Sequence, residues 1–293
     1  MLLPASSRQN SLATWLALGR VSNLPTVWSN CLAGWILGGG GNSPWPLLTL
    51  LLGASSLYLG GMFLNDAFDA EYDRLHRRER PIPAGRISLD SVWRWGFAWI
   101  GLGTVLLVLL GNTTGAFAAI LLFFILLYNA VHKFAASAPL LMAACRSSLI
   151  LAAASAGTTG ATGHAVWAAT AMGLYITGLT MLARHEAIRS RPPRWPAILL
   201  AAPICLSLLA HTGNYRLPAY IYSLLAGLWL LRALQPALMT KEINVPRSIH
   251  SLLAGIVIVD FLAVAVIITP SLQLVFLALF LLTLTLHRRI AGT

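Results

Sequence analysis

The sequence predicts an all-α polytopic membrane protein in which residues 1–293 form a single domain. The first observation is composition: 57% of the residues are hydrophobic and only 10% are charged, whereas soluble domains contain about 25% charged residues. The second is a mean hydropathy of +0.74. The third is that apolar stretches near the ~20 residues needed to cross a bilayer recur along the whole chain. We therefore expect a helical bundle embedded in a membrane.

Ten stretches have the length and apolar composition of membrane spans. They comprise residues 21–40, 46–66, 91–110, 114–132, 137–156, 165–184, 195–211, 218–234, 249–269 and 271–287. Pro270 separates the last two, because residues 249–287 are too long for one crossing and proline breaks a helix. We also expect a short amphipathic helix on the membrane surface before Arg20.

The chain carries a formal net charge of +11, and its basic residues divide the predicted loops into two sets. One set reads "GGGGNSPWP", "GNTTG", "GATGH", "HTGNYRLP" and "TPS", and it contains a single basic residue, Arg216. The loops that alternate with these, and both tails, are rich in arginine. The positive-inside rule then places the basic loops and both termini in the cytoplasm, and we expect a bacterial inner membrane. The charge thus indicates orientation and contact with the lipid bilayer rather than nucleic-acid binding.

An acidic stripe follows the second predicted span, in "NDAFDAEYDRLHRRERPIPAGRIS" (residues 65–88). Asn65, Asp69 and Asp73 are spaced by four residues, which puts them on one face of a helix about 6 Å apart, with Asp66 beside them. Carboxylates at that distance repel each other by roughly 3 kcal/mol at an effective dielectric constant near 20. Such a stripe is easiest to understand if it binds a cation, and oxygen ligands favour Mg²⁺.

Arginines follow the acidic stripe directly, and guanidinium groups match phosphate geometry. They are Arg74, Arg77, Arg78, Arg80 and Arg86. A metal and arginines at the inner membrane face suggest that the protein binds a diphosphate whose hydrocarbon tail lies in the bilayer. The alternative is a solvated loop beside the membrane that carries charges of both signs.

The same stretch resembles the first aspartate-rich motif, N-D-x-x-D-x-x-x-D, and the following R-P-[IL]-P-x-G-R-[IL]-S segment of the UbiA superfamily of intramembrane prenyltransferases. "LGRVSNLPTVWSNCLAG" resembles the start of that family's first helix. "LLYNAVHKFAASAPLLMAACRSSL" resembles its Y-[SN]-x-x-x-K region. The resemblance covers most of residues 15–190 and implies nine or ten transmembrane helices around a central cavity.

The resemblance also implies a reaction and the residues that perform it. Mg²⁺ would hold an allylic prenyl diphosphate, the diphosphate would leave, and a lipophilic or aromatic acceptor would capture the carbocation. The expected metal ligands in the first motif are Asn65, Asp66, Asp69 and Asp73. The expected catalytic residues are Asp69, Asp73 and Lys133. The expected diphosphate-binding residues are Arg20, Asn23, Asn65, Arg80, Arg86, Lys133 and Arg146. Aromatic rings that either face the carbocation or pack in the core are Phe63, Tyr128 and Tyr175.

Two features depart from the family pattern. The second aspartate-rich motif, D-x-x-x-D, is reduced to "MLARHEAIRSRPPRW", in which Glu186 is the remaining expected metal ligand and Ser190 stands at the second position. Either one metal is bound well and a second poorly, or arginines replace the second metal, or catalysis is lost. Asp260 lies inside an apolar span and either binds the acceptor or pairs with a helix dipole or a serine.

The sequence therefore predicts a Mg²⁺-dependent prenyltransferase. A non-catalytic carrier or transporter of prenyl lipids on the same fold is the alternative, because the second motif is reduced. A CDP-alcohol phosphotransferase is disfavoured, since Asp66 is followed by alanine where that class needs glycine. The identity of the acceptor, the length of the prenyl chain and the oligomeric state stay open.

Overall fold

The structure is a computed structural model that describes residues 11–188, 192–240 and 243–289. Within these ranges the regular elements are helices, joined by turns. They are α1 (Ser11–Leu18), α2 (Leu24–Leu37), α3 (Trp45–His76), α4 (Leu89–Val108), α5 (Asn112–Val131), α6 (Ala138–Ser155), α7 (Gly163–Ile188), α8 (Pro196–Ala210), α9 (Arg216–Leu238), α10 (Val245–Val264) and α11 (Pro270–Arg289). The predicted all-α fold is confirmed, and a helix occupies each predicted span.

Eight of the described helices are long and apolar enough to cross a membrane, which makes the protein an integral, multi-pass membrane protein. The predicted count of nine or ten is slightly too high by this measure. Of the helices in predicted spans, the two below the length needed are α2, with 14 residues, and α8, with 15. At 1.5 Å per residue, each is roughly 21–23 Å long, which is shorter than a hydrocarbon core of about 30 Å.

The short helix α2 lies at the centre of the bundle, where it contacts α3, α6, α10 and α11. Gly34 and Gly38 allow its backbone to approach α6 closely, because a Cβ at Gly34 would lie 2.5 Å from the carbonyl oxygen of Ile150. Polar residues of α2 therefore face protein rather than lipid.

Helices α3 and α4 are antiparallel neighbours that touch backbone to backbone at two glycine pairs. A Cβ at Gly60 would lie 2.8 Å from the carbonyl oxygen of Gly96, and one at Gly103 would lie 2.7 Å from that of Gly53. Small residues allow such close packing between membrane helices. This contact fixes α3 along most of its length.

Helix α3 has 32 residues and is therefore roughly 48 Å long, whereas about 20 residues suffice to cross the hydrocarbon core. The excess length suits an extension beyond that core. The acidic stripe lies near the end of α3 that leads into the turn at residues 77–88.

Candidate active site

The four oxygen-bearing side chains of the acidic stripe are buried in the bundle. Asn65, Asp66, Asp69 and Asp73 have exposed fractions of 5%, 6%, 9% and 2%. They share one face of α3, as their spacing predicts, and that face is covered by α5, by the start of α2 and by the turn after α3. Their oxygens therefore face other protein groups and not open solvent.

Arg80 bridges two carboxylates of the stripe. Its Nη1 atom lies 3.1 Å from Asp66 Oδ1 and 3.4 Å from Asp73 Oδ2. The turn after α3 brings it back, because the backbone N–H of Ala84 donates to the carbonyl of Arg80 at 2.9 Å and that of Arg86 donates to Pro81 at 3.0 Å. The side chain of Arg86 is exposed. The structure therefore brings Arg80 to the stripe but not Arg86.

Arg20 approaches the stripe from the start of α2. Its Nη2 atom donates to Asn65 Oδ1 at 3.3 Å and lies 3.5 Å from Asp66 Oδ1. Its backbone is in the left-handed region, with φ 42° and ψ 48°. Among the described residues other than glycine, no other residue has a positive φ. This conformation costs an L-residue roughly 1–2 kcal/mol. The hydroxyl of Tyr58 holds this backbone by donating to the Arg20 carbonyl at 3.2 Å.

Two side chains at the end of α5 contact Asp69. Lys133 Nζ lies 2.8 Å from Asp69 Oδ1, and His132 Nε2 lies 3.3 Å from the same atom. Lys133 was expected here from the sequence and His132 was not, although its place beside Lys133 in "YNAVHK" is a signal that could have been used. Arg184 donates to the carbonyls of Ala135 and Ala136 at 2.7 and 3.2 Å, which ties α7 to the turn after α5.

A partly open apolar cavity begins beside Asn65, and its empty space, including the open side, is about 600 Å³. Residues of α2, α3, α5 and α6 line it, including Leu57, Ile125, Tyr128 and Leu149. Asn129 connects the two regions, because it lines the cavity and also accepts a hydrogen bond from Asn65 Nδ2 at 3.2 Å. The stripe therefore forms the polar mouth of a hydrophobic chamber.

The other residues expected at the site lie elsewhere. Asn23 Oδ1 is 2.7 Å from His287 Nε2 on α11. Phe63 packs edge-on against Trp15, and the hydroxyl of Tyr175 donates to the Leu252 carbonyl at 2.7 Å, so of the three expected aromatic residues Tyr128 lines the cavity. The side chain of Glu186, and all of Ser190, lie outside the described residues.

Arg146 lines the apolar cavity and belongs, together with Asp260, to a second polar network inside the bundle. Asp260 accepts hydrogen bonds from Ser29 Oγ at 2.5 Å and from Asn30 Nδ2 at 2.7 and 2.8 Å. Asp260 thus has a serine partner, as one alternative predicted. Arg146 donates to Thr26 and Asn30 of α2 and makes no contact with the acidic stripe within the described part of the chain.

The donor set at the mouth can be tested against a metal ion. In the part of the chain that the structure describes, no three His, Cys, Asp or Glu side chains converge into a protein-only metal site. However, Asp73 Oδ1 is buried without a hydrogen-bond partner among the described residues. Mg²⁺ usually takes one or two carboxylates and fills its other positions with water and phosphate oxygens. The residues therefore fit a Mg²⁺ that shares its coordination with a bound diphosphate.

Comparison with protein families gives a match to the UbiA prenyltransferase family over residues 24–241. A digeranylgeranylglyceryl phosphate synthase from Metallosphaera sedula is 28% identical over 232 residues, which cover 75% of this chain and 71% of the relative. One from Ignicoccus hospitalis is 39% identical over 67 residues, 23% of this chain and 22% of the relative. One from Sulfolobus acidocaldarius is 31% identical over 123 residues, 41% of this chain and 42% of the relative. The chain thus spans less than half the length of these last two relatives.

Solved structures share the fold. A UbiA homologue from Aeropyrum pernix K1 superposes with a TM-score of 0.65 at 18% identity and covers 84% of this chain and 97% of its own. A UbiA homologue from Archaeoglobus fulgidus, bound to GPP and Mg²⁺, gives a TM-score of 0.54 at 15% identity and covers 96% of this chain and 100% of its own.

Proposed function

Since the chain belongs to the UbiA prenyltransferase family, we propose that it transfers a prenyl group from an allylic prenyl diphosphate to an acceptor in the membrane, with Mg²⁺ as cofactor. The observation that carries this proposal is the position of the acidic stripe, with its cations, at the mouth of an apolar cavity. A prenyl diphosphate matches this arrangement, because its charged head would lie at the mouth and its hydrocarbon tail in the apolar cavity.

Three cations of the chain bind the diphosphate in this proposal. Arg20, Arg80 and Lys133 now neutralise the carboxylates, at distances from 2.8 to 3.5 Å. When bound, Mg²⁺ would neutralise developing charge on the leaving group, with Asn65, Asp66, Asp69 and Asp73 as its available oxygen ligands. The same three cations would stabilise the departing diphosphate, because fixed positive groups act most strongly where charge develops away from water.

The cavity protects the allylic carbocation in this scheme. Its walls are largely apolar, which excludes the water that would otherwise capture the cation. Tyr128 lines the cavity, and the face of its ring attracts a cation. In this scheme the allylic C–O bond to the diphosphate breaks first and leaves the cation. A hydroxyl oxygen or ring carbon of the acceptor then bonds to the allylic carbon, and the proton that the acceptor loses passes to the departed diphosphate.

The distribution of basic residues supports an orientation with this mouth on the cytoplasmic side. The relatives are named digeranylgeranylglyceryl phosphate synthases, which makes a glycerophosphate lipid one acceptor to test. Aromatic acceptors are the other.

Product formation from labelled geranyl diphosphate, with panels of both acceptor types, tests the proposal. We expect Asp69→Asn to lower product formation by at least ~100-fold, because it removes charge at the proposed metal site. Asp90→Asn, a change at an exposed aspartate on α4, is the matched control and should retain activity within about twofold. Equal product from wild type and Asp69→Asn would contradict the assignment. Diphosphate binding without release would instead favour the carrier.

A further inference from the structure

Arg146 is a cation in the wall of the apolar cavity. It projects from α6 among lining residues such as Val27, Leu57 and Leu149. A charged side chain at this depth is costly unless it has partners or a function. Neither a prenyl chain nor an apolar wall requires a guanidinium, so its presence needs an explanation.

The contacts of Arg146 leave one edge of the guanidinium available. Nη1 donates to the Thr26 carbonyl at 3.2 Å and to Asn30 Oδ1 at 2.7 Å, and Nη2 donates to Thr26 Oγ1 at 2.9 Å. Arginine has five N–H bonds. Nε makes no hydrogen bond to the described residues and Nη2 makes one, so the Nε–Nη2 edge keeps two N–H bonds for a ligand. This is the edge that binds a carboxylate or phosphate in bidentate fashion.

A buried carboxylate balances the charge of Arg146 without occupying that edge. Asp260 is 1% exposed and accepts from Ser29 and Asn30. Asn30 connects the two charges, because its Oδ1 accepts from Arg146 while its Nδ2 donates to Asp260. The asparagine therefore orients the guanidinium and keeps the carboxylate away from it.

Arg146 lines the cavity and, among the described residues, contacts none of the carboxylates at the mouth. Its partners Thr26 and Asn30 are two and six residues past Leu24, or about 3 and 9 Å along α2 from its first residue. The cavity-lining segment of α3 ends at Met62, four residues and about 6 Å before Asp66. The cations that contact the carboxylates at the mouth are different residues.

We propose that Arg146 binds the acceptor, and that the acceptor carries an oxyanion, either a carboxylate or a phosphate, which takes the free edge of the guanidinium. Asp260 is a positioning residue that acts through Asn30. This inference rests on the proposed function, since it identifies the acceptor's chemical class at the same site. It assigns the diphosphate to the mouth and the acceptor's charge to the interior.

Direct binding of matched probes to the full chain in detergent tests the inference. The anionic probes are hydroxybenzoate and oleoylglycerol phosphate, and their neutral counterparts are hydroxybenzyl alcohol and oleoylglycerol. We expect wild type to bind at least one anionic probe about tenfold or more tightly than its counterpart, as a charge-assisted bidentate contact implies. Arg146→Gln should abolish this preference and leave the affinity for geranyl diphosphate within about twofold.

Two further variants separate positioning from folding. Arg146→Lys keeps the charge without the parallel N–H pair, so the anionic preference should fall severalfold. Asp260→Asn should lower the same preference while neutral probes bind as to wild type, whereas a merely structural role would weaken both kinds of probe equally.

The absence of any anionic preference in wild type would overturn the inference. So would an Arg146→Gln variant, or an Arg146→Lys variant if the first does not fold, that keeps the full preference or loses geranyl diphosphate binding instead. Because the readout is binding, failure of prenyl transfer alone would count against the proposed function and not against this site.

Discussion

In the described part of the chain, buried carboxylates are linked to cations in two places, at the end of α3 and in the centre of the bundle. At the mouth, Asp66, Asp69 and Asp73 contact cations directly, at 2.8–3.5 Å. In the centre, Asp260 reaches Arg146 through Asn30. Arg20 and Lys133 are about a quarter exposed. In the proposed function they exchange their carboxylate partners for the diphosphate. Arg146, by contrast, is held in one orientation by Asn30 and Thr26.

Removal of Mg²⁺ should produce the largest difference between the mouth and the interior site. Chelation with EDTA should lower prenyl transfer by roughly 1,000-fold or more, because the charge developing on the leaving group loses its principal stabilisation. Binding of an anionic probe at Arg146 should change by less than about twofold, since the interior contacts involve protein groups alone. Product formation and probe titration with and without added Mg²⁺ measure both effects. Transfer that persists in EDTA would contradict a metal-dependent mouth.

Neutralising one carboxylate in each place should affect stability differently. Asp260→Asn should destabilise the fold by about 3 kcal/mol, because it leaves a buried guanidinium without its compensating charge. Asp66→Asn should cost about 1 kcal/mol or less, since Arg80 keeps Asp73 as a partner and Arg20 keeps Asn65. Thermal unfolding midpoints in detergent compare the two variants. Equal unfolding midpoints would show that Asp260 does not stabilise the charge of Arg146.

The turn after α3 contains two arginines, of which Arg80 contacts the carboxylates at the mouth and Arg86 is exposed. Arg80→Gln should lower the specificity constant for the prenyl diphosphate by roughly 10- to 100-fold, because a charge-assisted contact to the leaving group is lost. Arg86→Gln removes an exposed guanidinium from the same turn and should stay within about twofold. Steady-state kinetics with varied geranyl diphosphate measures both. The opposite order of effects would place the diphosphate nearer Arg86.

Substitution of Ser29 should have the smallest of these effects on stability. Ser29→Ala removes one donor to Asp260 while Asn30 still donates, so we expect a loss of about 1 kcal/mol in stability. Ser137→Ala, at an exposed serine before α6 whose side chain makes no cap hydrogen bond, should cost about 0.5 kcal/mol or less. The same unfolding assay applies. A Ser29 variant as stable as wild type would mean that Asn30 alone satisfies the carboxylate.

The sequence predicted the mouth better than the interior for a geometric reason. Asn65, Asp69 and Asp73 lie on one helix, so their spacing along the chain determines their shared face. Asp260, Asn30 and Arg146 lie on three helices, and their proximity depends on packing that spacing does not encode. An aspartate inside an apolar span is visible in the sequence, but the hydrogen bonds that link Asp260 through Asn30 to Arg146 cannot be deduced from it.

Loops and short helices limited the rest of the prediction. The directions in which Arg80 and Arg86 point depend on the hydrogen bonds of one turn. From the sequence, both were expected to bind the diphosphate. The ten predicted spans were found because apolar length is a strong signal, yet α2 and α8 are shorter than a membrane crossing requires. Their ends depend on neighbouring helices rather than on hydropathy.

The backbone of Arg20 has a consequence for which residue can occupy this position. Glycine would relieve its left-handed conformation, with φ 42°, at no steric cost, but glycine has no cation to offer Asp66. The strain at Arg20 is therefore the cost of placing a guanidinium beside Asp66 and Asn65, a position from which a glycine could offer a ligand nothing.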